Sequence, residues 1–161
     1  MERVKKILVP TDFSAATKDV LDFVIEVAKP FQSEVTLLHV TETSDPYAEP
    51  PMFYSDREFF ETQASSLKEE IEALLNKYKD ILEKEGIENV KLDFITGNPF
   101  VEIVKYTEKL DCDLVAIGSH GQTDLEHVFL GSVAEQVVRN ATCPVVTIKK
   151  RGFKFKPVWQ K

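Results

Sequence analysis

The chain has 161 residues, 43% of them apolar and 29% charged, with a net charge of −7. That length suits one domain with a full core and is short for two. No stretch approaches the roughly 20 apolar residues of a membrane span, and the acidic balance argues against non-specific binding to nucleic acid.

The N-terminal Met1–Lys6 leads into only three apolar residues, Ile7-Leu8-Val9, before Pro10. This is too short for a signal-peptide core, so the expected location is the cytoplasm. Val4–Val9 reads as a strand that Pro10 stops. Ser14 is placed to cap a helix through about Lys29, with Val20, Val24, Val27 and Ala28 on one face and Pro30 at its end. Val35–Val40 is a near-continuous apolar run, the pattern of a strand buried on both faces.

Residues 41–57 hold Pro46, Pro50 and Pro51 with Tyr47, Met52, Phe53 and Tyr54 between them. A structureless stretch of that length reads as a lid, a partner surface or a disordered excursion. A helix is expected from about Glu58 to Glu85. Its apolar stripe is Phe60, Ala64, Leu67, Ile71, Leu74, Tyr78 and Leu82, and Gly86 ends it. Residues 42–85 carry twelve acids and five bases, an excess equal to the whole net charge.

Val90–Thr96 alternates and reads as a strand near a sheet edge. Gly97 turns the chain, and Asn98-Pro99 supplies a cap and a first-turn proline for the next helix. Leu114–Ile117 is a fourth strand, a helix runs from about Ser132 to Arg139, and Pro144–Ile148 is the fifth strand. Strands that alternate with helices imply an α/β fold with a parallel sheet covered on both faces. The domain is expected over residues 1–150, followed by a basic tail at 151–161. From Lys149 onward there are six Lys or Arg and no acid.

Cys112 and Cys143 each open an apolar run and stand at no metal or redox spacing, which reads as two buried small side chains. A bridge between them is conceivable if their strands become neighbours, but a reducing cytosol disfavours it. His39, His120 and His127 form no metal cluster by spacing. His39 reads as a satisfied strand histidine, whereas His120 sits where it could approach a phosphate.

The most informative stretch is Gly118-Ser119-His120-Gly121, followed after nine intervening residues by Gly131-Ser132. It starts where an apolar strand ends and finishes where a helix begins, the place where α/β sheets hold phosphorylated ligands. Glycine admits backbone N–H groups close to phosphate oxygens, and Ser132 adds a hydroxyl. The competing reading is that these glycines only make tight turns. Asp12, after the first strand, could accept from ribose hydroxyls or could instead serve the start of the following helix.

These residues resemble the universal stress protein family over residues 4–149. The matching pieces are Ile7–Ser14, Val35–Val40, Gly97-Asn98-Pro99 and Ile117–Ile148. The spacing Gly118-x2-Gly121-x9-Gly131-Ser132-Val133 is similar to that of the ATP-binding subgroup. The resemblance implies a five-stranded parallel sheet in order 3-2-1-4-5, of the adenine nucleotide α-hydrolase-like type, and a homodimer joined through the edge strand Val145–Ile148. It implies that Asp12 holds the ribose with Gly118 beside it, Pro10 and Thr11 being further nucleotide-binding residues. It places the main chain of Val40 at the adenine edge, and Ser119, His120, Gly121, Gly131, Ser132 and Val133 around the phosphates. ATP is the expected ligand, with ADP or AMP as further ones and Mg or Mn as the accompanying cation. Gln122, Asp124 and Glu126 make the phosphate end poor in positive charge, which increases dependence on that cation. The implied role is a stress-response protein in which nucleotide acts as a conformational or association switch. The alternatives are a slow ATPase and a dimeric scaffold that needs no nucleotide.

Overall fold

A computed structural model describes residues 4–42, 57–120 and 130–152, with side chains in the long second helix from residue 64 onward. The expectations for the 41–57 segment lie almost wholly outside these residues. So do those for Gly121, Gln122, Asp124, Glu126 and His127, and for the tail beyond Gly152.

Among the described residues nine elements follow one another as β1 (Lys6–Pro10), α1 (Ala16–Phe31), β2 (Glu34–Thr41), α2 (Arg57–Lys84), β3 (Val90–Thr96), α3 (Pro99–Leu110), β4 (Leu114–Gly118), α4 (Ser132–Asn140) and β5 (Val145–Ile148). All strand pairings are parallel, in the order β3-β2-β1-β4-β5. The expected topology is therefore found.

Alternation along the strands divides the core into two layers. Ile7, Val9, Val35, Leu37, Leu114 and Ala116 pack on one face with Val20, Leu21 and Val24 of α1 and Ile71, Leu75 and Leu82 of α2. Leu8, Leu38, Val115 and Ile117 point the other way, toward Ile103 and Tyr106 of α3 and Ala134 and Val137 of α4. A sheet buried on both faces explains the continuous or near-continuous apolar runs of β1, β2 and β4.

Three local expectations are corrected. Ser14 does not cap α1: the preceding residue of the helix is Ala15, in the right-handed region with no side-chain cap. The N–H of Ser14 donates to Asp12 Oδ1 at 2.9 Å and its carbonyl accepts from Thr17 N at 3.0 Å, so Ser14 belongs to the turn. Pro30 lies inside the last turn of α1, and the helix stops at Gln32 in the left-handed region (φ 52°). In α2 the buried face is Ile71, Leu75 and Leu82, while Leu74 and Tyr78 are half-buried and Ala64 and Leu67 are exposed. Among the described side chains, the buried contacts of the helix begin at Ile71, and residues 64–70 stand exposed ahead of it.

Asn98 caps α3 as expected, accepting from Val101 N at 3.4 Å, with Pro99 at the first helical position. Arg151, the first residue of the expected tail, is tied to α1: its backbone N–H and Nε reach Asp19, and its guanidinium reaches Asp22 at 2.9 Å.

Candidate functional site

The sheet reverses its winding between β1 and β4, and the two strands part there. They pair only at Ile7–Leu114 and Leu8–Val115. Beyond that, each turns to its outer neighbour: Thr11 N donates to Leu38 O at 2.9 Å, and Ser119 N donates to Ile148 O at 2.8 Å. Pro10 contributes to the parting because it has no N–H with which to continue the ladder toward β4. A crevice outside the carboxyl ends of the strands is the usual result at such a switch point.

The crevice is a cavity of about 720 Å³, within the range of roughly 300–1,000 Å³ typical of small-molecule sites. Every site residue expected from the sequence that the structure describes lines it: Pro10, Thr11, Asp12, Val40, Gly118, Ser119, His120, Gly131, Ser132 and Val133. Residues not anticipated also line it, among them His39, Thr41, Glu42, Thr17 and Pro99. His39 and Thr41 flank Val40 and could have been inferred from it. Thr17 and Pro99 sit in the first turns of α1 and α3 and depend on how those helices dock.

The turn after β1 is held by its own side chains. Thr11 Oγ1 accepts from Phe13 N at 3.1 Å and meets Thr17 Oγ1 at 3.0 Å. Asp12 Oδ1 accepts from Ser14 N, a bond within the turn two residues ahead of α1 rather than a cap on the helix, and the residue also lines the cavity. Phe13 adopts φ 60°, uncommon for a bulky residue. Its ring packs on His39 at 4.4 Å and on Tyr78 at 6.0 Å. His39 Nδ1 lies 2.8 Å from Thr11 O. Because a carbonyl only accepts, Nδ1 carries the hydrogen, and His39 is the satisfied strand histidine that was expected.

Val40 follows from strand alternation. Leu38 directs its carbonyl at β1, whereas Thr41 directs its carbonyl at Gly97 N, beyond β3, at 2.9 Å. Val40, two residues after Leu38, turns its N–H and C=O to the β1 side. There β1 has already ended, so these groups face the crevice.

At the opposite wall stands the start of α4. The first backbone bond of the helix is Glu135 N to Gly131 O at 2.8 Å. The N–H groups of Ser132, Val133 and Ala134 precede it, and no described residue accepts from them. They carry the partial positive charge of a helix N-terminus. Gly131 departs from expectation: its N–H donates to Ser119 O at 2.6 Å and is spent within the chain. Its backbone (φ −63°, ψ 153°) is ordinary extended geometry. Ser119 is buried, with its hydroxyl 2.9 Å from His120 Nδ1.

Gly118 also has a packing role. A Cβ there would lie 3.5 Å from Ala16 Cβ and 3.5 Å from His120 O, so the strand end sits directly against the first turn of α1. The described cavity wall contains no Lys or Arg and has two acids, Asp12 and Glu42. Among the described residues no three His, Cys, Asp or Glu side chains gather as a metal site, and no helix is long and apolar enough to cross a membrane.

Comparison with known proteins places this geometry. Universal stress protein MJ0531 of Methanocaldococcus jannaschii is 38% identical over 146 residues, 91% of this chain and 82% of the relative. MJ0577 of the same organism is 31% identical over 164 residues, 92% of this chain and 96% of its own length. A solved structure of MJ0577 superposes with a TM-score of 0.78 at 35% identity, covering 93% of this chain and 99% of that one. A universal stress protein from Archaeoglobus fulgidus in complex with dAMP shares the fold at 22% identity and a TM-score of 0.61, covering 92% of this chain and 100% of that one. The family model described as "Universal stress protein family" matches residues 3–149. With that match spanning all five strands and the sheet order agreeing, this chain belongs to the universal stress protein family.

Proposed function

We propose that this protein binds an adenine nucleotide in the switch-point cavity, ATP first and ADP or AMP as further ligands. The observation that carries the reading is the pairing of two polar surfaces across one cavity: the outward main chain of Val40 on one side and the first-turn amides of α4 on the other. A base whose edge both donates and accepts matches the N–H and C=O of Val40. Phosphate oxygens match the amides of Ser132 and Val133 and the Ser132 hydroxyl. Asp12, between them, accepts from the ribose. Gly118, Ser119, His120 and Gly131 complete the wall, Gly131 by bringing α4 up to the end of β4 rather than by donating. A relative of the same fold solved with dAMP supports the ligand class.

The wall offers no described Lys or Arg, so the charge of a polyphosphate must be met by helix amides and by Mg or Mn. Nucleotide occupancy then acts as the conformational or association signal. β5, left as a sheet edge, is the surface through which two copies pair. This is a stress-response role exercised in the cytoplasm by the 1–150 domain, with the basic tail beyond it.

Calorimetry with ATP, ADP and AMP, each with and without Mg²⁺, tests the reading. The expected result is saturable binding, with ATP affinity falling at least tenfold on chelation and AMP affinity changing little. No heat with any of the three nucleotides ends it.

A further inference from the structure

Cys112 and Cys143 are far apart in sequence but meet at the amino-terminal edge of the sheet, opposite the cavity. Cys112 lies in the turn between α3 and β4, and Cys143 in the turn between α4 and β5. Both are free thiols, and their Sγ atoms are 3.2 Å apart. A disulfide needs about 2.05 Å, so the sulfurs have about an ångström to travel.

The surrounding backbone is already fastened in the right place. Cys112 N donates to Thr107 O at 3.2 Å, and Val115 N donates to Pro144 O at 2.9 Å. Thr107 Oγ1 donates to Val104 O at 2.7 Å and lies 3.1 Å from Thr142 Oγ1. With the Thr107 hydrogen committed, it is Thr142 that donates across the gap. The two turns are therefore held together by bonds that do not involve sulfur.

We infer that Cys112 and Cys143 are a reversible dithiol–disulfide couple, reduced at rest and closed by exchange with a low-molecular-weight disulfide. Cys143 is half-buried between the exposed Thr142 and Pro144, whereas Cys112 is buried, so Cys143 meets the oxidant first. Its thiol releases a proton to solvent, and the thiolate attacks one sulfur of the small disulfide. One small thiol leaves, and the other half stays on Cys143 as a mixed disulfide. Cys112 then attacks Cys143 Sγ and passes its proton to the second small thiol as that departs. The protein loses two electrons and two hydrogens, and the small disulfide is reduced to two thiols.

Burial is the main obstacle. It pushes Cys112 up to about 12, with the Cys143 contact adding to the effect, and it raises Cys143 as well, with Asp113 contributing. Both thiols are thus held neutral, which slows attack on an oxidant, while the fraction reduced follows the ratio of small thiols to small disulfides. A reducing compartment argues against a permanent bridge, as the sequence suggested, but suits a couple whose resting state is two thiols. Closing it would join the end of α3 to the end of α4 and enclose β4 and α4 in one covalent loop.

The test uses the full chain, equilibrated in buffers of graded oxidised and reduced glutathione, quenched with acid and alkylated. Mass spectrometry is expected to show a monomer two hydrogens lighter, one Cys112–Cys143 linked peptide, and full reversal by dithiothreitol. The urea midpoint of the oxidised protein is expected to rise. Thiols that both still alkylate after equilibration in oxidised glutathione would overturn the inference, as would covalent dimers or a stable glutathione adduct in the wild-type chain. Cys112→Ala is expected to trap the adduct on Cys143, and its absence would overturn the order of attack. Should that variant fail to fold, the wild-type peptide map alone decides whether the couple exists.

Discussion

The N–H of Gly131 donates to the carbonyl of Ser119 across 2.6 Å, tying the start of α4 to the end of β4. The bond also changes which amides can meet an anion. Gly131 is occupied, and the donors that remain belong to Ser132, Val133 and Ala134.

Ser132→Pro tests this assignment. Proline is tolerated at the first helical position, where its missing N–H breaks no helical bond. Gly131 already has the extended backbone that a residue before proline requires. The variant is expected to keep its circular dichroism and to unfold within about 1 kcal/mol of wild type. It removes one amide and one hydroxyl from the site, so nucleotide affinity measured by calorimetry is expected to fall at least tenfold, about 1.4 kcal/mol or more.

Gly118→Ala separates packing from ligand approach. The added methyl meets Ala16 Cβ and His120 O at 3.5 Å, ordinary contact distances, and Gly118 has no positive φ to lose. Thermal denaturation is expected to place the variant within about 1 kcal/mol of wild type. A loss of several kcal/mol would mean that the strand end and α1 are closer than these distances indicate.

In α2 the buried face can be read by substitution. Leu75 is 1% exposed and Leu67 is 47% exposed, although helical spacing alone assigns Leu67 to the apolar stripe. Leu75→Ala is expected to cost about 2–5 kcal/mol in urea unfolding, and Leu67→Ala less than about 0.5 kcal/mol.

Tyr106 predicts a pH dependence. Its hydroxyl donates to Asp93 on β3, and Lys109 lies over its ring at 4.7 Å. Burial, then the Asp93 bond and the nearby negative charges, push the phenol from 10.0 up to about 12. The folded state thus retains a proton that the unfolded chain gives up sooner. The resulting stability is complete below pH 10 and is lost as pH rises from 10 to 12. The loss is on the order of 2 kcal/mol. Urea titrations at pH 8, 10 and 11 are expected to show a steeper decline for wild type than for Tyr106→Phe. The variant starts about 1 kcal/mol lower, for the lost hydrogen bond. Parallel curves would mean that the phenol is not held neutral by the fold.

What could be read from the chain itself was whatever depends on neighbours in sequence. β3 over Val90–Thr96 and the start of α3 at Asn98-Pro99 were legible because alternation, capping and proline act within a few residues. The apolar run Ile7-Leu8-Val9 and the near-continuous run Val35–Val40 required burial on both faces, and hence a parallel sheet. The spacing from Gly118 to Ser132 pointed to the end of β4 and the start of α4, both of which line the cavity, because a strand end and a helix start are local objects.

Tertiary structure decided what depends on where distant segments meet. Gly131 spends its amide because β4 delivers the Ser119 carbonyl to it. Val40 turns polar groups to the crevice only because β1 leaves the sheet after Pro10. Two thiols 31 positions apart touch because β4 and β5 are neighbours. Periodicity states which face of an element is apolar, but not which atom of another segment will stand opposite. That second fact is set by docking the elements onto one sheet, where each hydrogen-bonding group takes the partner that geometry brings to it.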